Sequence, residues 1–117
     1  MKIFYHLSSC TTCDRILKEL NLPEEVQLHD VKSSPLTEEE VDQLQSLAGS
    51  YEALFSKRAQ LYRQRELNNM DLQEEDYRRL LLEHYTFLKR PVLVYEQRIF
   101  VGNSKKTVAE AKAFLQD

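Results

Sequence analysis

The chain has 117 residues, the size of one small domain, and 42% of them are apolar, enough for a real core. Two glycines, three prolines and a charged fraction of 30% exclude a disordered or collagen-like chain. The net charge of −3 argues against general nucleic-acid binding, and two cysteines are too few for a disulfide-dense secreted module or a Cys₄ zinc site.

The N-terminal apolar run ends at His6, which is too short for the centre of a signal peptide, about 7–15 residues. No stretch approaches the roughly 20 apolar residues of a membrane span, and no lipidation motif is visible. We therefore expect a cytoplasmic protein without a membrane partner, in a compartment that keeps thiols reduced.

The first third of the chain predicts a β-α-β unit. Residues 2–7 are β-prone and mostly apolar, which is typical of a short buried strand. Residues 11–20 place Ile16, Leu17 and Leu20 at helical spacing, and residues 25–31 alternate as a second strand. This order favours a parallel pair of strands joined by a right-handed crossover.

The middle of the chain is predicted to be helical. Residues 37–40 (Thr-Glu-Glu-Glu) form a capping-box signature that opens a helix, and Gly49 ends it. Residues 50–66 suggest a broken helix, Asn68-Asn69 marks a turn, and a further helix begins at residue 71 or 73, with its apolar face reaching residue 88.

The last third predicts a β-hairpin and a closing helix. Residues 91–95 and 98–101 form its strands, residues 96–97 its turn, and Ser104 caps the helix. The complete order predicts one α/β domain over residues 1–117, with a thioredoxin-like mixed sheet (βαβ … ββα), helices on both faces and a helical insert at about residues 36–88.

The candidate chemistry centres on Cys10-Thr11-Thr12-Cys13, between the first strand and the first helix. Free N–H groups and the helix dipole favour an anion there, so we expect Cys10 to ionise more readily than a free thiol. Cys10 would attack a disulfide or an oxidant, and the less exposed Cys13 would resolve the product by thiol exchange.

Two other interpretations of the cysteines stay open. They could be half of a metal site, but there is no second cysteine pair and the three histidines lack ligand spacing. They could also be inert core residues, since cysteine is often a small apolar side chain. The position between strand and helix favours redox chemistry, with no metal bound.

Arg90-Pro91 is the second candidate feature, at a natural site for a cis peptide bond, although the sequence does not choose the isomer. In thioredoxin-like folds this turn faces the cysteine loop, so Arg90 could supply a fixed positive charge.

His6, four residues before Cys10, could act on the thiol, but a structural role is favoured. The basic run at residues 57–65 is either a solvated helix face or a partner patch.

The chain resembles the arsenate-reductase-like (ArsC/Spx) family of thioredoxin-fold proteins over nearly its whole length. Three segments carry the resemblance: residues 4–13 with the CxxC pair, residues 54–58 (Leu-Phe-Ser-Lys-Arg), and residues 89–102 with Arg90-Pro91 and the Arg-x-x-Val-Gly ending. The family's element order is the order predicted above.

For the arsenate-reducing branch, the resemblance implies that Cys10 attacks arsenate, that three arginines hold the oxyanion, and that glutathione and glutaredoxin return the electrons. Only Arg90 matches these arginines cleanly. The insert position aligns near Ser56, although Lys57 or Arg58 could substitute, and the third aligns with Val101. The basic residue usual four positions after the nucleophile is Asp14 here, so the oxyanion site is weakened.

For the Spx-like branch, the resemblance implies a CxxC redox switch in a transcriptional regulator that binds RNA polymerase rather than DNA. Our first hypothesis is nevertheless a thiol-disulfide reductase, with glutathione, glutaredoxin or thioredoxin as co-substrate or partner. Its expected catalytic residues are Cys10, Cys13 and Arg90. Its expected substrate-binding residues are Thr11, Thr12, Arg58 and Pro91.

Overall fold

A computed structural model describes residues 1–116, and its elements follow the predicted order. The strands are β1 (Lys2–His6), β2 (Gln27–Asp30), β3 (Val92–Tyr95) and β4 (Arg98–Val101). The helices are α1 (Thr11–Leu20), α2 (Glu38–Ala48), α3 (Gln60–Gln64), α4 (Glu74–Glu83) and α5 (Lys105–Gln116). Single 3₁₀ turns occupy Glu52–Leu54, Leu67–Asn69 and Tyr85–Phe87.

The four strands form one mixed sheet in the order β2-β1-β3-β4. β1 and β2 are parallel, as the crossover through α1 predicts, and the β1–β3 and β3–β4 pairs are antiparallel. Glu96 has a φ of 55° in the two-residue turn between β3 and β4, which is the left-handed conformation of a tight hairpin. The predicted thioredoxin-like mixed sheet is confirmed.

One face of the sheet carries the main apolar core, and α1 and α5 pack against it. Phe4 of β1 lies opposite Leu93 of β3, which in turn lies opposite Phe100 of β4. Each such side chain contributes roughly 1.5–3 kcal/mol of transfer free energy when it leaves water. The buried members of this core are Phe4, Ile16, Leu20, Val26, Leu93, Phe100, Val108 and Ala111.

The chain divides into two compact units. Residues 1–34 and the chain from Arg90 onward form the first, and Pro35–Lys89 form the second. The second unit coincides with the predicted helical insert, while the assignment of the whole chain to a single domain stays a prediction. None of the helices in the described part of the chain has the length and apolarity needed to cross a bilayer.

Polar contacts order the second unit. Thr37 and Glu40 form the predicted capping box of α2, and Gly49 ends that helix with a φ of 100°. Arg78 of α4 donates two hydrogen bonds to the Asp42 carboxylate of α2, at 2.8 and 3.1 Å. These paired bonds fix α4 against α2.

Helix α4 and strand β2 are shorter in the structure than the sequence predicts. Helix α4 ends at Glu83 rather than near residue 88, because His84 has an extended backbone and its ring accepts the Thr86 N–H at 3.1 Å. Strand β2 begins at Gln27, and the side chain of Leu28 is 56% exposed. The alternation at residues 25–31 therefore marks an edge strand rather than a buried face.

Candidate redox site

A tight turn carries the first cysteine from β1 into α1. The Cys10 N–H donates to the Leu7 carbonyl at 2.9 Å and closes this turn. Cys10 is the N-cap of α1, and its carbonyl accepts the first helical bond, from Asp14 at 3.2 Å. The Cys10 sulfur accepts the Cys13 N–H at 3.4 Å. An N-cap side chain in this position supplies an acceptor to the unpaired N–H groups of the helix.

The two cysteines are both free thiols but occupy different environments. Cys10 is half-buried, whereas the Cys13 side chain is only 1% exposed. Desolvation raises the pKa of the Cys13 thiol to about 11, although the Leu7 backbone and the positive charge of Arg90 act in the opposite direction. Cys13 is therefore a protonated thiol at neutral pH, one helical turn behind a more accessible sulfur.

Arg90 lies in the same unit as the cysteines and acts electrostatically on Cys13. Its charge is among the influences that lower the pKa of Cys13. The Arg90-Pro91 peptide bond is cis. Pro91 is buried, and its carbonyl accepts the Gly102 N–H at 2.8 Å, which fixes this end of β3 to the start of the α5 connection. The Arg90 Nη1 atom is buried and has no hydrogen-bond partner, so it remains available as a donor.

Other predicted residues of this unit lie around the cysteines. Thr11 and Thr12 form the first turn of α1, where Thr11 is exposed and Thr12 is half-buried. The His6 ring is 5.8 Å from the Phe4 ring, and its buried Nδ1 has no hydrogen-bond partner. These positions leave the roles of the two threonines and of His6 as predictions.

Arg58 and the rest of the basic run belong to the second unit. Arg58 is exposed, and its backbone N–H donates to the Ser56 hydroxyl at 3.4 Å. Lys57 pairs with Glu52 at 2.7 Å, and Arg65 pairs with a carboxylate of α4 at 2.6 Å. Two of the cations are thus neutralised locally, and the substrate-binding role of Arg58 stays a prediction.

The fold brings Ser8 and Asp30 together beside the cysteine turn, although neither residue stands out in the sequence. The Ser8 N–H and hydroxyl donate to the two carboxylate oxygens of Asp30, at 3.3 and 3.0 Å. The two residues are 22 positions apart, so no local spacing indicates the contact. The available signal was the parallel pairing of β1 and β2, which places residue 30 opposite residue 6.

Within residues 1–116, the histidine, cysteine, aspartate and glutamate side chains form no group of three or more that could hold a metal ion. The arrangement instead combines a half-buried acceptor sulfur, a buried thiol behind it and a cation with an unpaired donor. Such a set can form and resolve a mixed disulfide.

The sheet order, the CxxC pair at the start of α1 and the Arg90-Pro91 turn together define a thioredoxin-like protein. More specifically, the chain belongs to the ArsC family, whose model matches residues 5–111. That match includes both cysteines, Arg90 and the complete helical insert.

The chain is similar in sequence to transcriptional regulators and in fold to a solved arsenate reductase. The global transcriptional regulator Spx of Bacillus subtilis is 27% identical over 112 residues, which cover 92% of this chain and 84% of that protein. Spx of Lactiplantibacillus plantarum is 26% identical over 110 residues, covering 92% and 83%. The solved arsenate reductase from Vibrio cholerae superposes with a TM-score of 0.78 at 21% identity, over 94% of this chain and 96% of that chain, which shows the shared fold.

Proposed function

We propose that this protein is a thiol-disulfide reductase of the ArsC family, with Cys10 as nucleophile, Cys13 as resolving thiol and Arg90 as electrostatic partner. The observation that carries the proposal is the difference between the two sulfurs. Cys10 accepts a backbone N–H at a helix start, and Cys13 is buried with a raised pKa. An attacking thiol must be accessible, whereas a resolving thiol is best held protonated until the mixed disulfide forms.

The proposed reaction has two exchange steps. The Cys10 thiolate attacks one sulfur of a substrate disulfide, forms a Cys10–substrate disulfide and releases the first substrate thiolate. Cys13 then loses its proton and attacks the Cys10 sulfur, which releases the second substrate thiolate and leaves a Cys10–Cys13 disulfide. The two protein thiols supply both electrons, and an external thiol such as glutathione, or a dithiol protein such as thioredoxin or glutaredoxin, reduces the protein again.

Arg90 supports the first step through its charge and its unpaired donor. A guanidinium whose charge reaches Cys13 would stabilise the attacking sulfur anion and the thiolate that leaves. A buried N–H without a partner is costly unless a ligand or reaction intermediate uses it. We assign that use to the anionic sulfur or oxygen of the substrate.

The experiment follows the reaction of the reduced protein with glutathione disulfide. Mass spectrometry of the Cys13→Ser variant should detect one glutathione mass on Cys10, because the resolving step is blocked. The wild-type protein should instead form the internal disulfide and release two equivalents of glutathione. If Cys10→Ser protein consumes glutathione disulfide at the wild-type rate, the assignment of the nucleophile is wrong.

The second candidate is a redox-switched regulator that binds RNA polymerase. The curated relatives named above are global transcriptional regulators, and the resemblance to the Spx branch implies a CxxC switch in place of turnover. In this protein oxidation would join the two sulfurs at the start of α1, where the Cys10 sulfur accepts the Cys13 N–H.

A binding assay separates the regulator from the enzyme. We would measure binding of bacterial RNA polymerase to the protein reduced with dithiothreitol and to the protein oxidised to the internal disulfide. The regulator hypothesis expects at least a tenfold difference in affinity, about 1.4 kcal/mol. Equal binding in both states, or none, would count against it and leave the reductase as the surviving proposal.

A further inference from the structure

The carboxylate of Asp30 joins two loops at the same end of the sheet. Its Oδ1 accepts the N–H groups of Ser8 and Lys32, both at 3.3 Å. Its Oδ2 accepts the hydroxyls of Ser8 and Ser33, at 3.0 and 3.1 Å. Each oxygen thus receives one bond from the cysteine side and one from the loop that follows β2.

Ser8 is the part of the cysteine turn that Asp30 holds. The turn spans residues 7–10 and is closed by the bond between the Cys10 N–H and the Leu7 carbonyl. Ser8 lies inside it, two residues before the sulfur, and both its backbone N–H and its hydroxyl are bound by Asp30. Fixing Ser8 therefore limits how the turn presents Cys10 to the start of α1.

The sheet gives Asp30 a rigid base for this contact. Asp30 ends β2 in register with His6 at the end of β1, and the Val31 N–H donates to the His6 carbonyl at 2.9 Å. Although desolvation opposes ionisation, hydrogen bonds from Lys32, Ser8 and Ser33 lower the pKa of Asp30. The carboxylate is therefore charged at neutral pH and accepts all four bonds at once.

We infer that Asp30 is a positioning residue for the nucleophile, which acts through Ser8 to hold Cys10 where its sulfur accepts the Cys13 N–H. This inference rests on the proposed role of Cys10. The alternative action of Asp30, a direct effect of its charge on the sulfur, has the opposite sign, because a nearby anion disfavours a thiolate. The two actions can therefore be separated by measuring the reactivity of Cys10.

The test measures the rate of Cys10 alkylation by iodoacetamide at pH 7 in the Cys13→Ser protein, which has one thiol. We expect Asp30→Ala to slow alkylation by roughly tenfold and Ser8→Ala, which keeps the backbone bond, by about threefold. Ser33→Ala is the matched control, because it removes a hydroxyl bond to the same carboxylate on the far side. It should leave the rate within about twofold.

Asp30→Asn tests rescue by a side chain of the same shape without the charge. Its oxygen can accept the two N–H groups and its amide can donate to the serine hydroxyls, so the rate should stay within about threefold of the parent. Thermal melting of each variant confirms that it is folded at the assay temperature. If Asp30→Ala fails to fold, the inference is tested by comparing the Cys10 alkylation rates of Ser8→Ala and Ser33→Ala.

An unchanged or faster rate in Asp30→Ala would overturn the inference, as would equal rates for the two serine variants. Failure of the proposed function is seen separately. A wild-type protein that does not react with glutathione disulfide would refute the reductase, whereas the dependence of Cys10 alkylation on Asp30 is measured with a reagent that needs no enzymatic turnover.

Discussion

The Cys10 sulfur accepts its hydrogen bond, at 3.4 Å, from the backbone of the second cysteine, Cys13. The contact uses the Cys13 N–H rather than its thiol, so replacing the Cys13 side chain leaves the donor in place. A mutation of the Cys13 side chain can therefore block resolution of the mixed disulfide without removing the hydrogen bond to the Cys10 sulfur.

Cys13→Ser should retain the first exchange step and lose the second. We expect its rate of mixed-disulfide formation with glutathione disulfide to stay within about threefold of wild type, because the helix start is unchanged. Release of the second glutathione should be absent, as followed by mass spectrometry under anaerobic conditions. Cys10→Ser should lose both steps, and a mixed disulfide on Cys13 in that variant would contradict the order of attack.

Arg90→Gln should slow the first exchange step while keeping the fold. Removing the charge and the unpaired donor should lower the second-order rate constant with glutathione disulfide by roughly tenfold, and Arg90→Lys should recover part of the loss. The exposed Arg63, in α3, provides a control through Arg63→Gln. Identical rates for the Arg90 and Arg63 variants would remove Arg90 from the site.

The raised pKa of Cys13 predicts a loss of stability at alkaline pH. The unfolded thiol loses its proton near 9.0 and the folded thiol near about 11. The folded state therefore holds the proton more tightly, and its stability advantage is complete below pH 9. Between these values the free energy of unfolding should fall by about 2 kcal/mol from this group.

Urea denaturation at pH 8, 9, 10 and 11, in the presence of a phosphine reductant, measures this dependence. Cys13→Ala should be less stable at every pH but should lack this part of the alkaline decline. The tyrosines and lysines that titrate in the same range are present in both proteins. The difference between the two slopes of unfolding free energy against pH therefore gives the contribution of Cys13. If unfolding free energy falls with pH equally in both proteins, burial does not raise the pKa of Cys13.

Asp42 predicts a loss of stability at acid pH in the second unit. Hydrogen bonds from Arg78, and then from Tyr51 at 2.6 Å, lower the pKa of Asp42 to about 2. The charged form is favoured in the folded state, so this contribution is present above the unfolded value of 3.8 and is lost as the pH falls towards 2.

Asp42→Asn should therefore be less stable than wild type at pH 6, and the difference should vanish as the pH approaches 2. Denaturant titrations monitored by circular dichroism measure it at pH 6, 4, 3 and 2. Glu39→Gln, at an exposed position in the first turn of α2, is the control for removing one negative charge. If Asp42→Asn is still less stable than wild type at pH 2, the loss of stability is due to packing rather than to the charge of Asp42.

Arsenate should protect Cys10 from alkylation less than glutathione disulfide does. The resemblance to the arsenate-reducing branch implies three cationic positions, of which Arg90 matches one, Ser56 lies near the second, where Lys57 or Arg58 could substitute, and Val101 aligns with the third. A doubly charged oxyanion needs several fixed cations for tight binding. Protection by arsenate at micromolar concentration, measured against sulfate as control, would contradict this expectation and favour arsenate reduction over disulfide reduction.

The sequence predicts the fold well because most of its elements are specified locally. The capping box at Thr37 and the apolar run of residues 92–94 each contain their own signal. The contact between Ser8 and Asp30 has no such signal, since it depends on the pairing register of two strands. The end of α4 was also missed, because a histidine ring competes with the helix for the Thr86 N–H.

The position of Arg90 has a consequence for how proteins with this architecture can diversify. Arg90 is the first residue after the insert, and its neighbour Pro91 is tied to Gly102 inside the sheet unit. The backbone next to Arg90 is thus held within the unit that bears the cysteines. In a chimaera that replaces residues 36–88, the predicted substrate residue Arg58 would change, whereas Cys10, Cys13 and Arg90 would be kept.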